Sequence, residues 1–239
     1  MKKKVVAVLL MVSMVAALAI GCGSKKEGGS EKNEGTTEKT KYEQIMEKGV
    51  LTIGTEGTYK PFTYHDDKDE LTGYDVEVAK AIGEKMGVKV EFSEITWEGL
   101  LASMDNGTVD LVLNQVGVTD ERKEKYDFST PYLYSYIALI TKDDNNDITT
   151  WDSAKGKKTS LNVSSNYAKI AEKYEMDITA SETFSKDIEL LLAGRTDCVI
   201  NNTIAFADYL NDNYAGEKSV AIAYDSRNMS KEFAKAAAL

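Results

Sequence analysis

The side chains in this chain that could perform acid–base, nucleophilic or metal chemistry are few and scattered. His65 is the single histidine, and it stands beside Asp66-Asp67-Lys68-Asp69 in what reads as an exposed turn between Tyr64 and Leu71. No Ser/His/Asp or Cys/His arrangement assembles around it, so nothing marks a nucleophile with its base. Cys198 lies in the apolar run Cys198-Val199-Ile200, and the chain has no C-x-x-C and no Cys/His cluster. A buried, inert thiol is expected there rather than a redox or zinc site. Asp143-x-Asn145-x-Asp147 begins like a calcium loop, but Ile148 stands where that loop needs glycine and Ala154 where it needs glutamate. This run and residues 66–70 read as solvated turns. No Gly-x-x-x-x-Gly-Lys phosphate cradle occurs, and no cofactor is expected. What remains are short polar side chains that follow apolar runs: Asn114-Gln115 after residues 109–113, and Asn201-Asn202 after residues 197–200.

Such amides need a frame to bring them together, and the chain alternates strand and helix signals from residue 42 onward. Leu51-Thr52-Ile53 is a short strand ending at Gly54. Asp75 can cap a helix with the apolar stripe Val78, Ala79, Ile82 and Met86, stopped by Gly87. Val88, Val90 and Phe92 alternate as a strand; Leu100, Leu101 and Met104 mark a helix ended near Asn106-Gly107; residues 109–113 are a nearly continuous apolar run suited to a covered strand. The order then repeats: a strand over 158–163, a helix capped by Ser165 and bearing Ile170, Ala171 and Tyr174, and a strand over 177–180. A helix with Ile188, Leu191 and Leu192 follows, ending at Gly194 before a strand over 197–200. Gly107, Asp110, Val112 and Asn114 match Gly194, Asp197, Val199 and Asn201 at equal spacing. Two similar lobes with mainly parallel sheets are expected. Ligands of open α/β sheets bind beyond the carboxyl ends of the strands, where both amide pairs fall, so two such edges facing each other make a cleft.

The N-terminus speaks to compartment. Lys2, Lys3 and Lys4 precede an apolar run over residues 5–20, broken by Ser13 and shorter than a membrane span, and then Gly21-Cys22. Residues 1–21 read as a secretory signal. Ala19-Ile20-Gly21-Cys22 resembles a bacterial lipobox, with Ala19 where leucine is preferred, which would make Cys22 the lipidated first residue of the mature protein. Residues 23–41 contain no apolar side chain, so 22–41 is expected to be a flexible tether. The formal charge of −10 becomes −13 once a segment with three lysines and no acid is removed. That balance argues against nucleic acid or anionic lipid as a partner of the mature domain.

Four separated motifs carry a resemblance over residues 42–222. They are Gly54-Thr55-Glu56-Gly57-Thr58-Tyr59-Lys60-Pro61-Phe62, Leu71-Thr72-Gly73-Tyr74-Asp75-Val76-Glu77, Asn114-Gln115-Val116-Gly117-Val118-Thr119-Asp120-Glu121-Arg122 and Tyr126-Asp127-Phe128-Ser129-Thr130-Pro131-Tyr132. In order and spacing they resemble the polar amino-acid-binding proteins of ABC importers, and Asn114–Gly117 with Ser165-Asn166-Tyr167 are most similar to the cystine-binding branch. The resemblance implies a two-lobed, type II periplasmic-binding-protein-like α/β fold with a hinge between lobes: lobe 1 over 42–141 and lobe 2 over 142–222. It also implies an exported, lipid-anchored monomer on the outer face of the cytoplasmic membrane that hands an amino acid to importer membrane subunits.

By the same resemblance, Arg122 grips the ligand carboxylate, as a planar guanidinium can through parallel hydrogen bonds. A surface arginine in the charged run 120–125 is the plainer reading of the residue alone. Thr119 offers its hydroxyl, and Gln115 to Gly117 their backbone groups, to the ligand's ammonium together with Asn202, and Asn114 belongs to the same strand end. Ser165 and Asn166 fall at a helix N-terminus that also receives the carboxylate, and Tyr59 and Trp97 sandwich the side chain. The family's aspartate for the α-ammonium is replaced by Asn202. Three consequences stay open: Glu56 or an adjacent acid supplies the charge, affinity falls, or the ligand differs. Residues 223–239 look unlike the family's return strand and closing helices, so this segment is expected to be altered or truncated. The alternatives are an enzyme on the same scaffold, of the dehydratase kind, and a lipoprotein ligand sensor.

Overall fold

A computed structural model describes residues 39–215. The signal segment, Cys22, most of the 22–41 tether and residues 223–239 lie outside them. The first helix among the described residues, α1 (Lys41–Lys48), has no counterpart among the expected elements: residues 39 and 40 lead into it and Lys41 begins it, rather than continuing the tether. Thr40 accepts a hydrogen bond from Glu43 N while the Glu43 carboxylate accepts from Thr40 N, and Gly49 ends the helix at φ 69°.

The first sheet follows. Strand β1 (Val50–Thr55) pairs in parallel with both β5 (Lys89–Glu94) and β6 (Leu111–Val112), giving the order β5-β1-β6. Leu51, Ile53 and Leu113 pack against Ile45 of α1 and Ala79 of α2 (Tyr74–Met86), with Ile82, Met86 and Phe92 alongside. Asp75 does not cap α2. The cap position is Gly73, at φ 120°, where an added Cβ would stand 2.3 Å from Phe62 O. Pro61 O and Phe62 O accept from Tyr74 N and Asp75 N at 3.0 Å, so neighbouring backbone does what a capping side chain would. A small antiparallel sheet, β2 (Thr58–Tyr59), β3 (Thr63–His65) and β4 (Leu71–Thr72), holds that segment in place. Helix α3 (Trp97–Asp105) connects β5 to β6.

After α4 (Asp120–Lys123) the chain enters a second sheet of order β7-β10-β8-β9. It comprises β7 (Ile137–Ile140), β8 (Lys158–Leu161), β9 (Asp177–Ala180) and β10 (Cys198–Asn202). Only β7 runs antiparallel; although it precedes residue 141, it belongs to this sheet. Helix α5 (Asn166–Lys173) packs Ala168 and Ala171 against Leu161, Cys198 and Ile200 on one face. Helix α6 (Phe184–Leu192) packs Ile188 and Leu191 against Ile140 and Val199 on the other. Helix α7 (Thr203–Asn213) leaves directly from β10. Cys198 is buried and its thiol is pushed up to about 12 by burial.

The repeat has a physical basis. Asp110 Oδ2 accepts from Thr52 N at 2.8 Å, and Asp197 Oδ2 accepts from Lys158 N at 2.7 Å. In each sheet the repeated aspartate therefore ties the strand it precedes to its parallel neighbour. Among the described residues no helix is long and apolar enough to cross a membrane.

Candidate ligand-binding cleft

The carboxyl ends of β1 and β10 deliver polar side chains to one cleft. Asn114, fully buried after β6, is a hub: its Oδ1 accepts from Thr55 Oγ1 at 3.1 Å, Glu56 N at 2.9 Å and Thr63 Oγ1 at 3.2 Å, and its Nδ2 donates to Glu56 Oε2 at 2.6 Å. Glu56 is thereby aimed into the cleft. Burial raises its pKa, the Asn114 amide pulls it down, and Glu98 nearby pushes it up again. Gln115 adopts φ 52° and donates from N (2.8 Å) and Nε2 (2.7 Å) to Asp75. Asp75 is 1% exposed and has its pKa raised by burial against these bonds and one from Tyr132. The missed role of Asp75 is thus to hold Gln115 in a left-handed conformation that a non-glycine residue rarely adopts unaided.

Across the cleft, Ser165 occupies the N-cap position of α5 but makes no capping bond; its Oγ is buried without a partner. The first turn of this helix therefore has no side-chain cap. Arg122 comes from the opposite side. Thr119 caps α4 by accepting from Arg122 N at 3.2 Å, Arg122 Nη1 donates to Gly117 O at 2.8 Å, and the guanidinium lies 5.4 Å from the Trp97 ring centroid. Burial works against its charge and Glu121 favours it. A Cβ on Gly117 would stand 3.9 Å from Arg122 Nη1 and 3.8 Å from both Asn166 amide atoms, so these groups converge on one small space.

Of the residues expected at the site, Tyr59, Trp97, Asn114, Gln115, Ser165 and Asn166 line the cleft, and Gly117, Thr119 and Arg122 adjoin it through Trp97 and Asn166. Asn202 is different, because both its amide atoms are committed to protein partners: Oδ1 accepts from Ala205 N at 2.8 Å as the N-cap of α7, and Nδ2 donates to the Tyr59 hydroxyl. Sequence reasoning did not find Asn162, Glu182, Thr183 and Phe184. The last two begin α6, where Thr183 accepts from Lys186 N, a cap signal ahead of the recognised apolar stripe. His65 lies away from the cleft, with Nε2 2.8 Å from Glu94 Oε2 and Nδ1 3.0 Å from Asp69 O. Among the described residues no cluster of three or more His, Cys, Asp or Glu side chains could hold a metal.

A family model described as "Bacterial extracellular solute-binding proteins, family 3" matches residues 51–177. The chain belongs to this family. As a family-3 solute-binding protein it is 40% identical over 227 residues to the L-cystine-binding protein TcyA of Bacillus subtilis, covering 95% of this chain and 82% of that one. It is 37% identical over 202 residues to the L-cystine-binding protein TcyJ of Escherichia coli K12, covering 83% and 73%. Among solved structures, this family-3 protein resembles the ancestral amino acid-binding protein AncCDT-1, described as a precursor of cyclohexadienyl dehydratase. The TM-score is 0.68 at 30% identity, covering 71% of this chain and 78% of that one. The two-lobed periplasmic-binding-protein-like fold is thus common to both.

Proposed function

We propose that this protein captures a polar amino acid outside the cytoplasmic membrane, L-cystine foremost, and delivers it to an ABC importer. The observation that carries the reading is the convergence of Arg122 and the uncapped start of α5 on the space beside Gly117. A fixed cation facing a helix N-terminus suits a carboxylate. Thr119 and the backbone at Gln115 and Gly117 would meet the ammonium. Tyr59 and Trp97 form apolar walls, and Glu56, held by Asn114, supplies the negative charge for an ammonium. Cystine-binding relatives of this similarity support the ligand class.

Signal cleavage before Cys22, lipidation there and a tether leading to α1 would place a monomeric receptor at the outer membrane face. A dehydratase on the same scaffold has less behind it, because the two relatives named above are binding proteins and His65 sits on the surface. Thermal unfolding alone and with each amino acid plus cystine tests the reading. Ligand at a hundredfold excess over its Kd adds about 2.7 kcal/mol. A selective shift with L-cystine is the expected result; a cooperative melt that no amino acid shifts would sink it.

A further inference from the structure

We infer that Asn202 is a positioning residue that locks the Tyr59 ring across the cleft, rather than a contact for the ligand's ammonium. The amide has a forced orientation. Ala205 N can only donate, so the atom it meets at 2.8 Å must be the oxygen, and the nitrogen must face Tyr59. The same logic fixes Asn201, whose Oδ1 accepts from Asn202 N at 2.8 Å and therefore also receives the Tyr59 hydroxyl proton at 2.9 Å.

Asn202 Nδ2 donates to Tyr59 Oη, Tyr59 Oη meets Asn201 Oδ1, and the Tyr167 hydroxyl hydrogen-bonds with both Tyr59 and Asn202, so the Tyr59 hydroxyl is gripped by three residues of the second lobe. Both asparagines are buried, at 5% and 7% exposure, so an unmatched group there would be costly. The Tyr59 ring packs on Phe62, with centroids 5.2 Å apart and the planes tilted by 52°. The ring is thus held at its hydroxyl by one lobe and at its face by the other. An aspartate at 202 could still cap α7, but its second oxygen could not donate to Tyr59 Oη as the amide nitrogen does, and it would bring a buried charge beside the Tyr59 and Tyr167 hydroxyls. The choice of amide over acid therefore decides whether this position serves Tyr59 or a ligand ammonium, and here it serves Tyr59.

The test is a double-mutant cycle on the full chain. Asn202→Ser keeps a capping oxygen and removes the donor to Tyr59; Tyr59→Phe keeps the ring and removes the hydroxyl. The first readout, which alone rests on the amino-acid-binding reading, is L-cystine dissociation followed by Trp97 fluorescence. Each single variant is expected to release L-cystine roughly fivefold faster, the net worth of one hydrogen bond, and the double variant no faster than the faster single. Effects that multiply, or an Asn202→Ser rate equal to wild type, overturn the proposal. Asn202→Asp is expected to weaken L-cystine binding, and tighter binding would assign the position to the ammonium instead.

The second readout needs no ligand: the distance between spin labels at Lys80→Cys and Leu192→Cys in a Cys22→Ser background, one on α2 and one on α6. Both single variants should lengthen this separation equally and the double variant no further; no lengthening in any of them overturns the lock. A wild-type protein that binds no amino acid would defeat the functional reading alone and leave this readout to decide.

Discussion

At the scale of single residues, Arg122 shows how a charge is made ready for a ligand. One nitrogen is spent on Gly117 O at 2.8 Å and one face lies over Trp97, which fixes the plane of the fork and leaves its remaining donors for a carboxylate. Arg122→Ala should lower L-cystine affinity by about ten- to hundredfold, the range for a lost charge-assisted pair, with an unchanged melting temperature; calorimetry and a thermal melt check both halves. Arg122→Lys should recover little, because a lysine cannot reproduce the fork. Asp187 makes the opposite case, a charge the fold tolerates poorly. It is 4% exposed in α6 with Oδ1 unpartnered, and burial raises its pKa to about 6 against bonds from Ser181 and Ser160. Because the folded value lies above the unfolded one of about 3.9, the native state holds the proton more tightly. Stability is therefore greatest with respect to this group below about pH 4, falls as pH rises toward about 6, and stays reduced above it, by on the order of 3 kcal/mol at most. Asp187→Asn should flatten that decline and raise stability at pH 7, as chemical denaturation across pH 4–7 would measure. A wild-type decline that survives in the variant would assign it to another group.

At the scale of elements, the two repeated aspartates are the same device in different surroundings. Asp110 is nearly covered and also pairs with Lys41 at 2.9 Å, whereas the Asp197–Lys158 bond is exposed to water. Removing the acceptor strands a backbone N–H in the first case and hands it to solvent in the second. Asp110→Ala should cost about 1–3 kcal/mol and Asp197→Ala less than about 1 kcal/mol in denaturant unfolding, and equal costs would contradict this account. These aspartates also explain what was legible in the sequence. Strands β1, β5, β8 and β9 and helices α2, α3, α5 and α6 announce themselves by period and by a repeated Gly-x-x-Asp frame, and the cleft residues lie at the strand ends that frame predicts. A local rule places the α2 cap at Asp75 because it sees the side chain and not the backbone of Pro61 and Phe62 that meets the helix from elsewhere, whereas Ser165 does stand at the N-cap position of α5, without a capping bond. Strands β2, β3 and β4 have two or three residues each and carry no period to read. The start of α6 carries a readable cap at Thr183, but only tertiary packing brings Thr183 and Phe184 into the cleft that Tyr59 also lines.

At the scale of the whole molecule, the proposed anchor and the cleft set separate tests. With Cys22 lipidated, the protein should pellet with membranes and Cys22→Ser should release it with L-cystine affinity unchanged, since the cleft uses no residue of the tether; binding lost on release would tie the two together. The cleft itself is bridged by two kinds of contact. Lys60–Asp212 at 2.5 Å, Lys169–Glu121 and Asn162–Glu98 at 2.5 Å lie in the open, while the Tyr59–Asn201–Asn202 relay is buried. Exposed ion pairs contribute about 0–1 kcal/mol each and are screened as the Debye length shrinks. A buried relay keeps its value at any salt, and its loss leaves desolvated groups unmatched. If the relay holds the lobes together, raising ionic strength tenfold should speed L-cystine release by no more than about threefold, even with both ion pairs weakened. The further acceleration caused by Tyr59→Phe should then be the same at low and high salt. A release rate that climbs steeply with salt and makes Tyr59→Phe indistinguishable from wild type would place the closing force in the rim charges, and the buried hydroxyl would be left as packing alone.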